Sequence, residues 1–262
     1  ARVHGTSLGI EDDSRIFGPT QGYLLAVADG LGPDGYDARA SGILVRDMVQ
    51  AFLEEGRVAG RSGASDLALR NALDELQVDL LSLAADAVPS PWPGSTLTLV
   101  HVRWPDALLV HVGDTRAYLL RRGELRRLTE DHSVSSAVRG EAGRDRRLWN
   151  AVGGNLVQPR PQIERFTLEL GDQLLVCSDG VWRERDDADI RRALATAPDA
   201  ERAARALVER GADDDRTAIV ARFLEAGEER ETLVARAAEP APRKTAAPGA
   251  PHARSSVPVR PA

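Results

Sequence analysis

The chain has 262 residues, 42% of them hydrophobic and 28% charged, with a formal net charge of −6. That is the composition of a globular protein long enough to bury a sizeable core, and an acidic balance argues against a nucleic-acid backbone as partner. Cys177 is the one cysteine, which excludes an intramolecular disulfide or a cysteine-built metal site and fits a reducing cytoplasm; no apolar run of about 18 residues reads as a membrane span, and no signal peptide is visible.

Taken in chain order, the first clear element is the apolar run from Leu24 to Ala28, strand-like and closed by Asp29. Two helices follow. Ala40, Ile43, Leu44, Met48, Ala51 and Phe52 share one helical face. Leu69, Ala72, Leu73, Leu76, Leu80, Leu83 and Ala84 share another, after an N-cap at Ser65. The segment from Ser95 to Val102 alternates, with Leu97 and Leu99 on one face and Thr96, Thr98 and Val100 on the other. Strands at Ala107 to Val112 and Ala117 to Leu120 continue a meander, and Arg122-Gly123 turns the chain into Glu124 to Leu128. A second strand group, Ile163 to Leu168 and Gln173 to Ser178, precedes helices at Asp187 to Thr196 and Asp199 to Arg210 and a last strand from Thr217 to Phe223. Strands and helices arrive in blocks, which favours an α+β fold with antiparallel sheet over a doubly wound parallel one. Residues 1–225 read as one domain. Residues 226–262 are rich in Pro and Ala without periodicity and are expected to be a disordered tail or linker.

Three segments end alike: Leu24-Leu-Ala-Val-Ala-Asp29-Gly30, Leu108-Leu-Val-His-Val-Gly-Asp114 and Leu174-Leu-Val-Cys-Ser-Asp179-Gly180. Runs this apolar predict strands buried on both faces. A carboxylate at such an end needs a partner, because leaving it charged near the core is costly. A single Asp-Gly is more often a turn that ends a strand. Repetition after near-identical strands, with more acids at Glu11-Asp12 and Asp213-Asp-Asp215, points instead to a hard, oxygen-liganded ion, Mg²⁺ or Mn²⁺ ahead of Ca²⁺. Glycine after the aspartate lets the backbone approach a cation closely.

Seven short motifs stand in order between residues 4 and 223: Glu11-Asp12, Val27-Ala-Asp-Gly-Leu-Gly32 with Ala40-Ser41, Gly94-Ser-Thr96, Val112-Gly-Asp-Thr-Arg-Ala-Tyr118, Leu128-Thr-Glu-Asp-His-Ser133, Cys177-Ser-Asp-Gly180 and Asp214-Asp-Arg-Thr217. In this order and spacing the chain resembles the bacterial type of the PPM family, the metal-dependent (type 2C) protein serine/threonine phosphatases. The resemblance implies two packed antiparallel β-sheets flanked by helices, an α-β-β-α sandwich. It implies two Mn²⁺ or Mg²⁺ ions bridged by Asp29, with Gly30 and Glu11 serving one, Asp179 and Asp214 the other, and Asp12 holding a metal-bound water. Asp131 would serve a weaker third ion, Asp114 would be structural, and His132 is open to a structural or a site role. The implied reaction is attack of a metal-bridging hydroxide on phosphoserine or phosphothreonine in a phosphoprotein substrate, with Asp12, Asp29 and Asp179 as the catalytic set and an opposing serine/threonine kinase as counterpart. The expected state is a monomer.

The chain departs from the family pattern at several places. Ser7 stands where the family carries an arginine that grips the substrate phosphate. Leu31 replaces a histidine found in some relatives, Pro33 replaces the second glycine of the first motif, Asp37-Ala38 replaces its usual Gly-Glu, and the stretch from His132 to Val152 is shorter than the family's flap. Ser7 and Pro33 leave a second reading open, a phosphatase-like metal-binding regulatory module with little catalysis. A metal-dependent phosphodiesterase or nuclease comes third, against the acidic body.

Overall fold

Side chains leave the strand β3 (Tyr23–Leu31) alternately into two different cores. Leu24, Ala26 and Ala28 join one cluster, Leu25 and Val27 another, and all five are buried. This is why the run is uniformly apolar: with both faces covered, the usual polar-apolar alternation of an antiparallel strand disappears. The computed structural model describes residues 2–8, 12–17, 23–32, 37–58, 66–85, 93–135, 146–154, 158–209 and 215–224.

Around β3 a seven-stranded antiparallel sheet forms in the order β11 (Val152–Gly153), β4 (Gly94–Ser95), β3, β5 (Leu97–Arg103), β6 (Asp106–Val112) and β12 (Gln162–Thr167), with β2 (Asp12–Phe17) also paired to β3. The helices α1 (Asp37–Val58) and α2 (Asp66–Ala85) cover its outer face: Leu44, Val45 and Met48 of α1 and Leu69, Leu73 and Leu80 of α2 pack on Leu97, Leu99 and Val110. The second sheet has five strands in the order β1 (Arg2–Leu8), β14 (Arg216–Arg222), β13 (Gln173–Cys177), β7 (Arg116–Arg121) and β8 (Glu124–Arg127). Its inner residues Leu119, Leu174, Val176 and Ile219 meet Leu25, Val27, Val100 and Leu109 between the sheets. Its outer residues Tyr118, Leu175, Cys177 and Val220 carry α4 (Asp187–Thr196) and α5 (Ala200–Val208) through Ile190, Leu194, Ala203 and Leu207. The layers run α-β-β-α, as expected, and each apolar strand supplies two of the three cores.

Local chemistry closes the elements. Arg122 (φ 52°) and Gly123 (φ 83°) both take the left-handed region, and Arg121 pairs with Glu124. That is a two-residue hairpin turn whose twist suits the flanking strands. Asp186 and Asp199 cap α4 and α5, their carboxylates accepting from the N–H groups of Asp189 and Arg202. Elements the sequence reading lacks are β1, β2, the short β4 and β11, the ribbon of β9 (Ser133–Ser135) with β10 (Arg146–Leu148), and the four-residue α3 (Asp179–Trp182). The expected cap at Ser65 and the tail 226–262 lie outside the described residues.

Candidate active site

The segments that carry Asp29, Asp114 and Asp179 meet in one connected set of contacts, assembled motif by motif. Asp29 is fixed through its backbone. Its N–H donates to Oγ1 of Thr96 at 3.0 Å, and its carbonyl accepts from the Thr96 N–H at 2.9 Å and from Ser95 Oγ at 3.0 Å. The Gly-Ser-Thr motif therefore acts as a clamp on the first aspartate. Gly94 can have no side chain, because a Cβ there would stand 2.6 Å from the Gly154 nitrogen, where β4 meets β11. Gly30 is buried and pairs with Ser95 across β3 and β4.

Thr96 in turn touches the fourth motif. Gly113 has φ 109°, and a Cβ on it would lie 2.5 Å from Thr96 Cβ, so a glycine is needed for both conformation and space. His132 completes this junction. Its Nδ1 accepts from the Gly113 N–H at 3.1 Å and from Asn150 Nδ2 at 2.8 Å, and its own N–H donates to the Gly113 carbonyl at 2.7 Å. Burial lowers its pKa, in keeping with a neutral ring that accepts at Nδ1. The geometry gives His132 a structural part. Beneath it His111 is fully buried, bonded to Thr98 Oγ1 and the Glu130 carbonyl, and burial pushes its pKa down to about 3.

Asp114 follows Gly113 and is buried, 3% exposed. Its carbonyl accepts from the Trp182 indole N–H at 2.9 Å. Asp179, 6% exposed, opens α3 at the end of β13. One guanidinium reaches both acids: Arg183 Nη2 lies 2.5 Å from Asp179 Oδ2 and 3.7 Å from Asp114 Oδ2. Gly180 brings the last motif in. A Cβ there would stand 2.2 Å from the Asp215 carbonyl oxygen, so the 215–217 segment is pressed onto the start of α3. The Ser178 hydroxyl accepts from the Thr217 N–H at 2.9 Å and locks the same junction. The glycine after this aspartate thus serves chain packing, in addition to the cation approach read from the sequence.

The remaining expected site residues are placed as follows. The β2–β3 register sets Asp12 opposite Asp29, and the β1–β14 register sets Ser7 opposite Thr217. Glu11 and Asp214 lie outside the described residues. Asp131, expected to serve a third ion, has both carboxylate oxygens on Arg116, at 2.8 Å to Nε and 2.7 Å to Nη2, with Arg127 at 3.5 Å. An ion there would have to displace that fork. Arg116 is held further by the Tyr118 hydroxyl at 2.9 Å and by the Trp182 ring, whose centroid lies 3.5 Å from the guanidinium carbon. Sequence reasoning passed over Arg183, although an acid and an arginine four residues apart across a short helix are a legible pair.

The donor set suits a hard divalent cation. Asp29 and Asp179 are carboxylates and Gly30 follows Asp29 in the chain, while an ion at Asp179 would share that carboxylate with the Arg183 guanidinium. Among the described residues no three His, Cys, Asp or Glu side chains cluster as a metal site, and Glu11 and Asp214 are not among them.

The chain is similar to known proteins in sequence and fold. The Protein phosphatase 2C family model matches residues 6–225. PstP, a serine/threonine protein phosphatase of Mycobacterium tuberculosis, is 29% identical over 220 residues, covering 75% of this chain but only 39% of PstP. The serine/threonine phosphatase stp of Listeria monocytogenes is 27% identical over 183 residues, 65% of this chain and 71% of that protein. The crystal structure of M. tuberculosis PstP/Ppp superposes with a TM-score of 0.70 at 25% identity, over 86% of this chain and 99% of that one. The PstP catalytic domain in complex with two manganese ions gives 0.65 at 26% identity, over 86% and 98%. A match spanning every motif segment assembled above leaves one conclusion: this chain belongs to the protein phosphatase 2C family of protein serine/threonine phosphatases.

Proposed function

We propose that the chain hydrolyses phosphoserine and phosphothreonine in proteins with two Mn²⁺ or Mg²⁺ ions, held by Asp29, the Gly30 carbonyl, Glu11, Asp179 and Asp214. The observation that carries this reading is the contact path joining Asp29, through Thr96 and Gly113, to Asp114, Arg183 and Asp179. It brings the buried ends of strands from two sheets to one rim. Such an ion pair, when bound, supplies hydroxide at near-neutral pH and offsets negative charge on the phosphoryl oxygens.

The chain's own residues do the positioning. Thr96 and Ser95 hold the Asp29 backbone, so its carboxylate starts from a fixed Cα. Gly180 and Ser178 hold the 215–217 segment, which follows Asp214 in the chain, at Asp179. The path is buried for most of its length, which strengthens electrostatic interactions in the site. Asp12, opposite Asp29 in the β-ladder, is assigned to orient water. Asp131 is left to Arg116.

PstP and stp are described as serine/threonine phosphatases, and a phosphoprotein made by a serine/threonine kinase is the substrate class we assign by that likeness. Cys177, buried and the one cysteine, accords with a reducing cytoplasm. Among the described residues no helix is long and apolar enough to cross a membrane.

The test is hydrolysis of an aryl phosphate and of phosphoserine and phosphothreonine peptides with added Mn²⁺. Asp179→Asn is expected to remove the activity. Turnover undiminished in excess chelator would sink the metal reading. Tight Mn²⁺ binding without turnover of any phosphopeptide would favour a regulatory module, the alternative that Ser7 motivates.

A further inference from the structure

We propose that Arg183 is a resident cation of the site, its guanidinium standing between Asp114 and Asp179 where a further divalent ion would otherwise bind. The inference rests on the reading of Asp179 as an ion ligand.

The electrostatics begin with two carboxylates that are both nearly inaccessible, Asp114 at 3% and Asp179 at 6% exposure. Both lie within ion-pair reach of the same nitrogen, Nη2 of Arg183. Two buried carboxylates so close cannot both stay ionised without compensating charge. The compensation can come from a proton, a bound cation or a basic side chain. Here it is a basic side chain, and a guanidinium is never deprotonated in a protein, so its charge is permanent.

The arginine is also held in place. Its backbone N–H donates to the Asp179 carbonyl at 2.9 Å, which ends α3 with the side chain on the Asp179 side of the turn. Its neighbour Trp182 is pinned by the indole bond to Asp114 and by Arg116 stacked on its ring. Arg183 is 34% exposed, and the nitrogen that reaches both acids is Nη2. Asp131, the acid the resemblance assigns to a third ion, is neutralised in the same way by Arg116. Arginines thus supply fixed charge at both places where additional ions could sit, and the site is built for few exchangeable ions.

Removing the positive charge should leave an acidic pocket with two oxygen-donor side chains, which is what a hard divalent cation seeks. The experiment counts Mn²⁺ ions per chain at saturation, by equilibrium dialysis and calorimetry, in the wild type, Arg183→Gln, Arg183→Lys and the double variant Arg183→Gln/Asp114→Asn. Far-UV circular dichroism establishes that each is folded, and Arg183→Ala serves the same comparison if the glutamine variant does not fold. The expected result is one more ion in Arg183→Gln than in the wild type, no gain in Arg183→Lys, and loss of the gain in the double variant. An unchanged count in folded Arg183→Gln, a gain in Arg183→Lys, or a gain that survives Asp114→Asn overturns the proposal. So does a wild-type count that falls when Asp114 alone becomes Asn. Because the readout is a difference in ion number, it is separate from turnover. A wild type without phosphatase activity would defeat the functional reading and leave this comparison standing.

Discussion

Gly180 lies against the backbone of Asp215 so closely that a Cβ would stand 2.2 Å from the Asp215 carbonyl oxygen and 3.0 Å from Cγ of Arg216. Neither the start of α3 nor β14 can retreat easily, because Ser178 is bonded to Thr217 on the same seam. Gly180→Ala is therefore expected to destabilise the fold by about 1–3 kcal/mol, the usual range for forced overpacking. Urea unfolding midpoints would show this, and Mn²⁺ affinity should fall in parallel because the seam joins Asp179 to the 215–217 segment.

Thr96 makes a comparable prediction without steric change. Thr96→Val keeps the shape but removes the acceptor for the Asp29 N–H. A buried donor left unpaired costs about 1–3 kcal/mol. Thr96→Ser keeps the hydroxyl and should retain most of the stability. If the valine variant is as stable and as active as the wild type, the clamp on Asp29 has no functional weight.

Arg116 and Asp131 form a nearly buried pair, with side-chain exposures of 12% and 8%. Arg116→Ala removes both short contacts to the carboxylate, and breaking such a pair from one side typically costs about 3–5 kcal/mol. The paired change Arg116→Met with Asp131→Leu should recover much of the loss. A thermal or urea denaturation cycle over the four proteins measures the coupling.

His111 predicts an acid-side loss of stability. Its folded pKa, pushed down to about 3 chiefly by burial, lies below the ordinary value of 6.5. Between those two values the unfolded chain takes up a proton that the folded chain refuses, so stability falls as pH drops through that window. The slope approaches about 1.4 kcal/mol per pH unit for one such group. His132, shifted in the same direction, adds to it. Unfolding free energies measured from pH 7 to pH 4 should show the decline, and His111→Gln should flatten it.

The strands whose residues are apolar on both faces were legible as long apolar runs: Asp114 and Asp179 stand just beyond β6 and β13, while β3 runs on past Asp29 to Leu31 instead of ending there. The helix α4 matches its expected bounds because its capping aspartate and its buried positions Ile190 and Leu194 agree. β1 and β2 were not legible. Their sequences mix charged, small and apolar residues, and what makes them strands is pairing with β14 and β3, which no local period records. α3 is too short to show a period. In the site, the acids were visible as types and Asp179 with Arg183 as a four-residue spacing, but the approach of Asp114 to that pair arises from two sheets meeting, a relation that one-dimensional spacing does not carry. The reading of Gly180 was incomplete for the same reason, since its tightest neighbour, Asp215, is distant in sequence.

The alternation along β3 sets a rule for how this region can vary. Leu24, Ala26 and Ala28 face the helix layer, and Leu25 and Val27 face the other sheet. Exchanging one aliphatic residue for another in this strand changes volume by a methyl group or so. Deleting one residue reverses every later side chain, sending helix-facing groups between the sheets, and draws Asp29 out of the Ser95–Thr96 clamp. The strand is thus permissive in chemistry and rigid in length, and insertions in this part of the molecule belong in its loops.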